Sequence, residues 1–266
     1  MPKPQRIQKP LPKWGHKGDT FREILDEWER MGLAQLEASS DRFVWWGKRE
    51  VLLHDHPRIE DDLPEFNVGL FGNAQHEKGL PWIFWGRNPE LLENYHYTLT
   101  QRSVRERTIK SIFLGKVENQ IQFNNRFQSK VDWSNHIDLY CVVSGVNTPY
   151  PCSQEEYLKF MADSKFALLL PGYGPKCNRD IEAIAMGAIP IVTPGVCTEY
   201  YNTWEEGKNY LRMETVEDLE RIYDTPNDQL QEMQETNYQW YVDNCTTFSS
   251  FYLTKKIIEE TSEYGE

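Results

Sequence analysis

The stretch Ser164–Thr193, SKFALLLPGYGPKCNRDIEAIAMGAIPIVT, constrains this chain more than any other. Phe166–Leu170 is an apolar run of buried-strand length, ended by Pro171. Gly172-Tyr173-Gly174-Pro175 is a tight turn where backbone can approach a ligand. Asn178–Met186 has helical spacing, with Ile181, Ile184 and Ala185 on the core side and Gly187 as a stop. Ile189–Val192 is a second buried strand. A strand, glycine loop, helix and strand in this order belong to a parallel α/β sheet. The helix then starts at the carboxyl end of the strands, where anions bind.

Arg179 and Glu182 are three residues apart on that helix and share a face. A cation and a carboxylate beside an anion-binding helix end suit a nucleotide diphosphate, Arg for phosphate and Glu for ribose hydroxyls. Tyr173, Gly174, Lys176 and Asn178 complete the phosphate-facing turn. Gly115 and Lys116, at the end of the strand Ile112–Leu114, offer a second cation. The competing reading of Arg179 and Glu182 is a surface ion pair worth tenths of a kcal/mol.

The rest of the chain alternates strands with helices, which predicts an α/β architecture with parallel sheets. Met1–Lys17 is Pro/Lys-rich and reads as an extended arm. A helix is expected from Thr20 to about Ala38, then short strands at Phe43–Trp46, Val51–Leu53 and Asn67–Phe71. An aromatic strand at Pro81–Arg87 and a helix at Pro89–Tyr97 follow. The expected division is an arm at 1–18, an N-terminal half at 19–110 and a ligand-binding half at 111–245. A C-terminal helix at 246–266 would pack back toward the N-terminal half. The 266 residues suffice for one large domain or two small ones.

The balance of 41 acidic against 29 basic residues, net −12, argues against nucleic acid or an anionic membrane as partner. Five cysteines without paired metal spacing read as reduced thiols of a cytoplasmic protein. No apolar run approaches the roughly 20 residues of a membrane span, and no signal peptide is seen. The sequence does not fix an oligomeric state.

Taken together, GYGPKCNRDIEAIAMGAIPIV at Gly172–Val192 resembles the donor-binding core of the exostosin-like glycosyltransferases (GT47-like). SIFLGK resembles the strand and Gly-Lys/Arg turn that opens the family's nucleotide-sugar domain. Val51–Pro57, Val68–Arg87 and Thr198–Leu211 resemble further segments, so the likeness covers most of Phe43–Arg212. It implies a GT-B-like fold, two Rossmann-like halves with a compact N-terminal half. It also implies inverting transfer from a nucleotide sugar, usually UDP-linked, with no essential metal or other cofactor. The donor sugar stays open: xylose suits a compact pocket, while glucuronate, galactose and N-acetylglucosamine are used by relatives. The acceptor implied is an oligosaccharide hydroxyl. Pro171 stands where relatives often have Arg, and Asn178 where they often have His.

Inverting transfer needs a general base opposite the donor. Asp55, in His54-Asp55-His56-Pro57 at a strand end, is the first candidate, and His76-Glu77 the second. The alternative for Asp55 is a turn cap or an ion pair with Arg58. Trp85 and Arg87 are candidate acceptor-wall residues, against a core role for Trp85. Glu206, in Glu205-Glu206-Gly207, is a candidate for donor-sugar hydroxyls, against a solvated turn. His54 and His56 lack further ligand spacing, so no metal site is expected. A metal-dependent GT-A-type transferase would have to use Glu60-Asp61-Asp62. A non-catalytic carbohydrate- or nucleotide-binding module is the rival of another class. A dinucleotide enzyme is disfavoured because the loop lacks G-x-G-x-x-G spacing.

Overall fold

The computed structural model describes residues 3–8, 20–37, 44–45, 52–54, 69–71, 79–99, 102–127, 131–145 and 148–261. The N-terminal part contains β1 (Gln5–Gln8), α1 (Thr20–Arg30), β2 (Ala34–Glu37), β3 (Val44–Trp45), β4 (Leu52–His54), β5 (Gly69–Phe71), β6 (Gly79–Pro81) and α2 (Pro89–Leu99). β1 lies between β2, which is parallel to it, and β3, which is antiparallel. The arm at the start of the chain therefore carries the middle strand of a small sheet, with Ile7 fully buried. β4, β5 and β6 form a second, wholly parallel sheet.

The first helix stops eight residues before its expected end. Gly32 adopts φ +70°, and the amides of Gly32 and Leu33 bond back to the carbonyls of Glu29 and Trp28. This left-handed glycine closes the helix, and the chain enters β2, so Leu36 belongs to a strand. The stretch expected as an aromatic strand differs as well. Only Gly79–Pro81 pairs in a sheet, and Trp82–Gly86 pairs with no strand among the described residues. Partners elsewhere satisfy its backbone: Tyr201 N donates to the Trp82 carbonyl, Cys245 Sγ to that of Phe84 and Asn178 Nδ2 to that of Trp85.

The C-terminal part follows in the order β7 (Ile109–Val117), α3 (Gln120–Phe127), β8 (Leu139–Ser144), α4 (Gln154–Ala162), β9 (Ser164–Leu169), α5 (Asn178–Ala185), β10 (Ile189–Val192), β11 (Leu211–Arg212), α6 (Asp218–Tyr223), α7 (Asn227–Asn244) and α8 (Thr247–Thr261). Its five strands are all parallel, in the spatial order β11-β10-β9-β7-β8. This is the doubly wound order of a Rossmann-like unit, with β8 to one side of β7 and β9, β10 and β11 to the other. Side chains alternate between two cores. Ala167 and Leu169 of β9 face the core under α4 and α5, while Phe166 and Leu168 face the core under α6 and α7. Ser153-Gln154-Glu155-Glu156 forms a capping box: Glu156 N donates to Ser153 Oγ, and Ser153 N donates to Glu156.

A third core joins the N-terminal part to α8, around Trp28, Trp45, Trp82, Trp85 and Phe251. The indole N–H groups of Trp28 and Trp82 donate to Ser250 and Thr254 of α8. No helix among the described residues is long and apolar enough to cross a membrane.

Candidate active site

The winding of the sheet reverses between the parallel strands β7 and β9, so their carboxyl ends flank a crevice that no crossover helix covers. Gly115, Lys116 and Val117 end β7, and Gly172–Gly174 follow β9. A cavity of about 490 Å³ opens there, bordered by Phe84 and Arg87, by Lys116, Gln122 and Arg126, by Tyr150 and Tyr157, and by Tyr173–Glu182 of the glycine loop and α5. That volume falls in the range of small-molecule and cofactor sites.

The start of α5 is the floor. Gly172 N donates to the Gly174 carbonyl, closing the turn. Cys177 N donates to Asp180 Oδ2 at 2.8 Å. Asp180 is 1% exposed, and burial lifts its pKa from 3.8 to about 7. That net value includes a smaller upward push from Glu182 and the opposing pull of the Cys177 amide, Arg179 and Lys176. A carboxyl this close to neutral removes much of the negative charge that would repel an anion at the helix start.

Arg179 is buried, with its guanidinium 4.2 Å over the Phe113 ring and Nε donating to the Leu114 carbonyl at 3.3 Å. Gly115 leaves it room, since a Cβ there would sit 3.2 Å from Arg179 Nη2. Arg126 comes from α3 and is also buried; its Nη1 donates to the Lys116 carbonyl. Burial pushes its pKa down, and the charge of Arg179 pushes it further. Beside it, Asn125 Nδ2 donates to the Gly172 carbonyl and ties α3 to the loop.

Glu182 accepts a hydrogen bond from the backbone N–H of Arg87 at 3.0 Å. It also accepts one from the Tyr157 hydroxyl, whose pKa is raised well above its ordinary value by burial and by Glu182. The Arg87 side chain bonds Tyr150; burial opposes its charge, but Glu182 and the two tyrosines outweigh that and raise its pKa. Gln154 Nε2 donates to the Arg87 carbonyl. Segment 82–87 is thus fastened to the Rossmann-like half by hydrogen bonds at 154, 178, 182, 201 and 245.

Gly115, Lys116, Tyr173, Gly174, Lys176, Asn178, Arg179, Glu182 and Arg87 all border the one cavity. Several are already engaged. Lys116 Nζ lies 2.6 Å from Glu118. Lys176 donates to the Glu199 carbonyl, with its ammonium 4.5 Å over the Tyr200 ring. Two expectations are corrected. Trp85 is 1% exposed and packs edge-on against Trp82 at 4.7 Å, so it is core and no acceptor wall. Glu206 bridges to Tyr210, faces Arg212 at 3.6 Å and lies outside the cavity lining, in a solvated turn held by its own strand. Asp55, His76 and Glu77 lie outside the described residues.

Sequence reasoning passed over Arg126, Tyr150 and Tyr157. Tyr157 carried a signal, since the Ser153 capping box fixes α4 and hence which side chains of its first turns face α5. Arg126 carried none locally: an arginine in Asn124-Asn125-Arg126-Phe127 matters only because β7 and β9 are neighbours.

No protein-family model matches the chain, and no curated protein sequence does. Among solved structures, an alpha1,3-fucosyltransferase has a similar shape, with a TM-score of 0.44 and 11% sequence identity, covering 88% of this chain and 81% of that one.

Proposed function

We propose that this protein is a glycosyltransferase of GT-B type that binds a nucleoside-diphosphate sugar in the cavity between β7 and β9. The observation that carries the reading is the convergence on one crevice of the α5 N-terminus, the buried Arg179 and the glycine turns at 115 and 172–174. Backbone amides and a guanidinium at that point match a diphosphate. The exostosin-like motif resemblance supplies the donor class: a UDP-sugar, with UDP-xylose a leading candidate, and an oligosaccharide acceptor.

In the reaction, an acceptor hydroxyl oxygen attacks the anomeric carbon from the face opposite the diphosphate, which inverts the centre. The bond between that carbon and the phosphate oxygen breaks, its electron pair leaves with the nucleotide, and a base takes the hydroxyl proton. Arg179 and the first amides of α5 offset the charge growing on the leaving group. No metal is invoked, because guanidinium and helix dipole supply the positive charge. Asp55 remains our nominee for the base. Glu182 positions Arg87 and Tyr157 at the wall where donor ribose and acceptor would lie. We place this chemistry in the cytoplasm, in keeping with five free cysteines.

The test is thermal unfolding of the wild type and Arg179→Ala with UDP-xylose, UDP-glucuronate, UDP-galactose and UDP-N-acetylglucosamine, each with and without EDTA. At least one sugar nucleotide is expected to raise the wild-type Tm in EDTA and not that of the variant. The reading fails if none does and no transfer to any oligosaccharide is detected.

A further inference from the structure

Besides Arg87, which is engaged by Glu182 and Tyr150, the cavity holds two arginines at the ends of β7 and β9, where one would serve to seat a single phosphate. Arg126 is 5% exposed and Arg179 is 7% exposed. Their described partners are uncharged: the Lys116 carbonyl and the Cys177 side chain for Arg126, and the Leu114 carbonyl for Arg179. Neither forms an ion pair with a described carboxylate, and each keeps one buried nitrogen without a hydrogen-bond partner among the described residues, Nε of Arg126 and Nη1 of Arg179. The two cations also press on one another: burial is the main reason the pKa of Arg126 is lowered, and the charge of Arg179 lowers it further. Two glycines lie against them: a Cβ at Gly115 would meet Phe113 at 2.8 Å and Arg179 Nη2 at 3.2 Å, and one at Gly172 would meet Cys177 Sγ at 2.7 Å and Arg126 Nη2 at 3.1 Å.

A purely structural pair, bracing two strand ends, is the plainer reading. It does not account for the geometry. Buried guanidinium groups are ordinarily neutralised or fully bonded, and an unmet buried donor is costly. Two such groups side by side with the same charge are arranged for something carrying compensating negative charge.

We infer that the Arg126–Arg179 pair is a seat for two linked anionic groups, and that Arg126 makes the site select a nucleoside diphosphate over a nucleoside monophosphate. This rests on the proposed donor site and adds the count of charges it reads. A consequence follows for turnover. The donor diphosphate is esterified at both ends; when the sugar bond breaks, its electron pair stays on the terminal phosphate oxygen, which gains a negative charge. The pair therefore holds the released nucleoside diphosphate more tightly than the donor, and the product inhibits.

The test is calorimetric titration of UDP and UMP into the wild type, Arg126→Ala and Arg126→Lys in EDTA. A charge-assisted bond lost from one phosphoryl group is expected to lower UDP affinity by about 10- to 100-fold in Arg126→Ala. UMP affinity should change by only a few-fold, so the preference for UDP collapses. Arg126→Lys should fall between. Should Arg126→Ala not fold, the wild type decides through competition: pyrophosphate is expected to displace a UDP-sugar at far lower concentration than phosphate. Equal UDP and UMP affinities in the wild type, or equal losses in the variant, overturn the inference and leave the donor reading standing. Failure of every nucleotide to bind the wild type overturns both.

Discussion

Gly172 marks the point where the cavity wall meets the start of α5, and replacing it tests that packing without removing a charged group. A Cβ at this position would lie 2.7 Å from Cys177 Sγ, with φ outside the left-handed region, so alanine strains contacts and not the backbone. Cys177 has little freedom, because its N–H is fixed to Asp180 Oδ2 at 2.8 Å. The second contact, with Arg126 Nη2, is with the tip of a long side chain that yields at small cost. Overpacking of this kind costs about 1–3 kcal/mol. Alanine returns up to ~1 kcal/mol by restricting the unfolded chain. A net loss of about 1–2 kcal/mol is expected for Gly172→Ala. Cys177→Ala vacates the space the new methyl group needs and by itself is expected to lose ~1 kcal/mol. The pair together should then be less damaging than the sum, with a coupling of about 1–2 kcal/mol. Urea unfolding of the four proteins at a common m-value measures this directly. Losses that add to within ~0.5 kcal/mol would refute the contact between the turn and the helix start.

Two further expectations concern the same helix. Gly187 ends α5 at φ +71°, and a Cβ there would fall 2.2 Å from Tyr238 Oη, the group that accepts from Arg107 Nη2. Gly187→Ala therefore combines left-handed strain with a clash and should lose about 3 kcal/mol, read by urea unfolding; a loss under ~1 kcal/mol contradicts the packing. Asp180, raised by burial to about 7, keeps a proton in the folded chain that the unfolded chain releases near pH 3.8. Stability contributed by that proton is present at acid pH and declines as pH rises to about 7, then levels. Asp180→Asn keeps an acceptor for the Cys177 amide and removes the slope, so its stability should gain on the wild type across that interval and stay parallel above it. Parallel curves throughout would show that Asp180 is ionised in the folded protein.

The strongest sequence signals were those in which local chemistry and tertiary environment agree. Ser164–Thr193 is buried on both faces, so its apolar runs, glycine turn and helix stop all point to the unit that forms. Where a single residue overrides a pattern, the sequence misleads. The apolar spacing of Phe21–Leu36 continues past Gly32, yet the left-handed glycine turns the last residues into a strand. Trp82–Gly86 has strand composition, but its hydrogen bonds go to groups from distant segments, the Tyr201 amide and the Asn178 and Cys245 side chains, and Trp85 is drawn into the tryptophan core. The donor side of the cavity was legible because it lies within one continuous motif. Its opposite wall was not, because Arg126, Tyr150 and Tyr157 converge on it from α3, a loop and α4 only once the sheet order is fixed.

The central claim is that the crevice between β7 and β9 holds the diphosphate of a sugar nucleotide. A crystal structure of the protein with UDP tests it most directly. The account expects the diphosphate against the first turn of α5, within hydrogen-bond distance of Arg179 Nη1 and Arg126 Nε. A nucleotide seated elsewhere, with both arginines left unbonded, would contradict it.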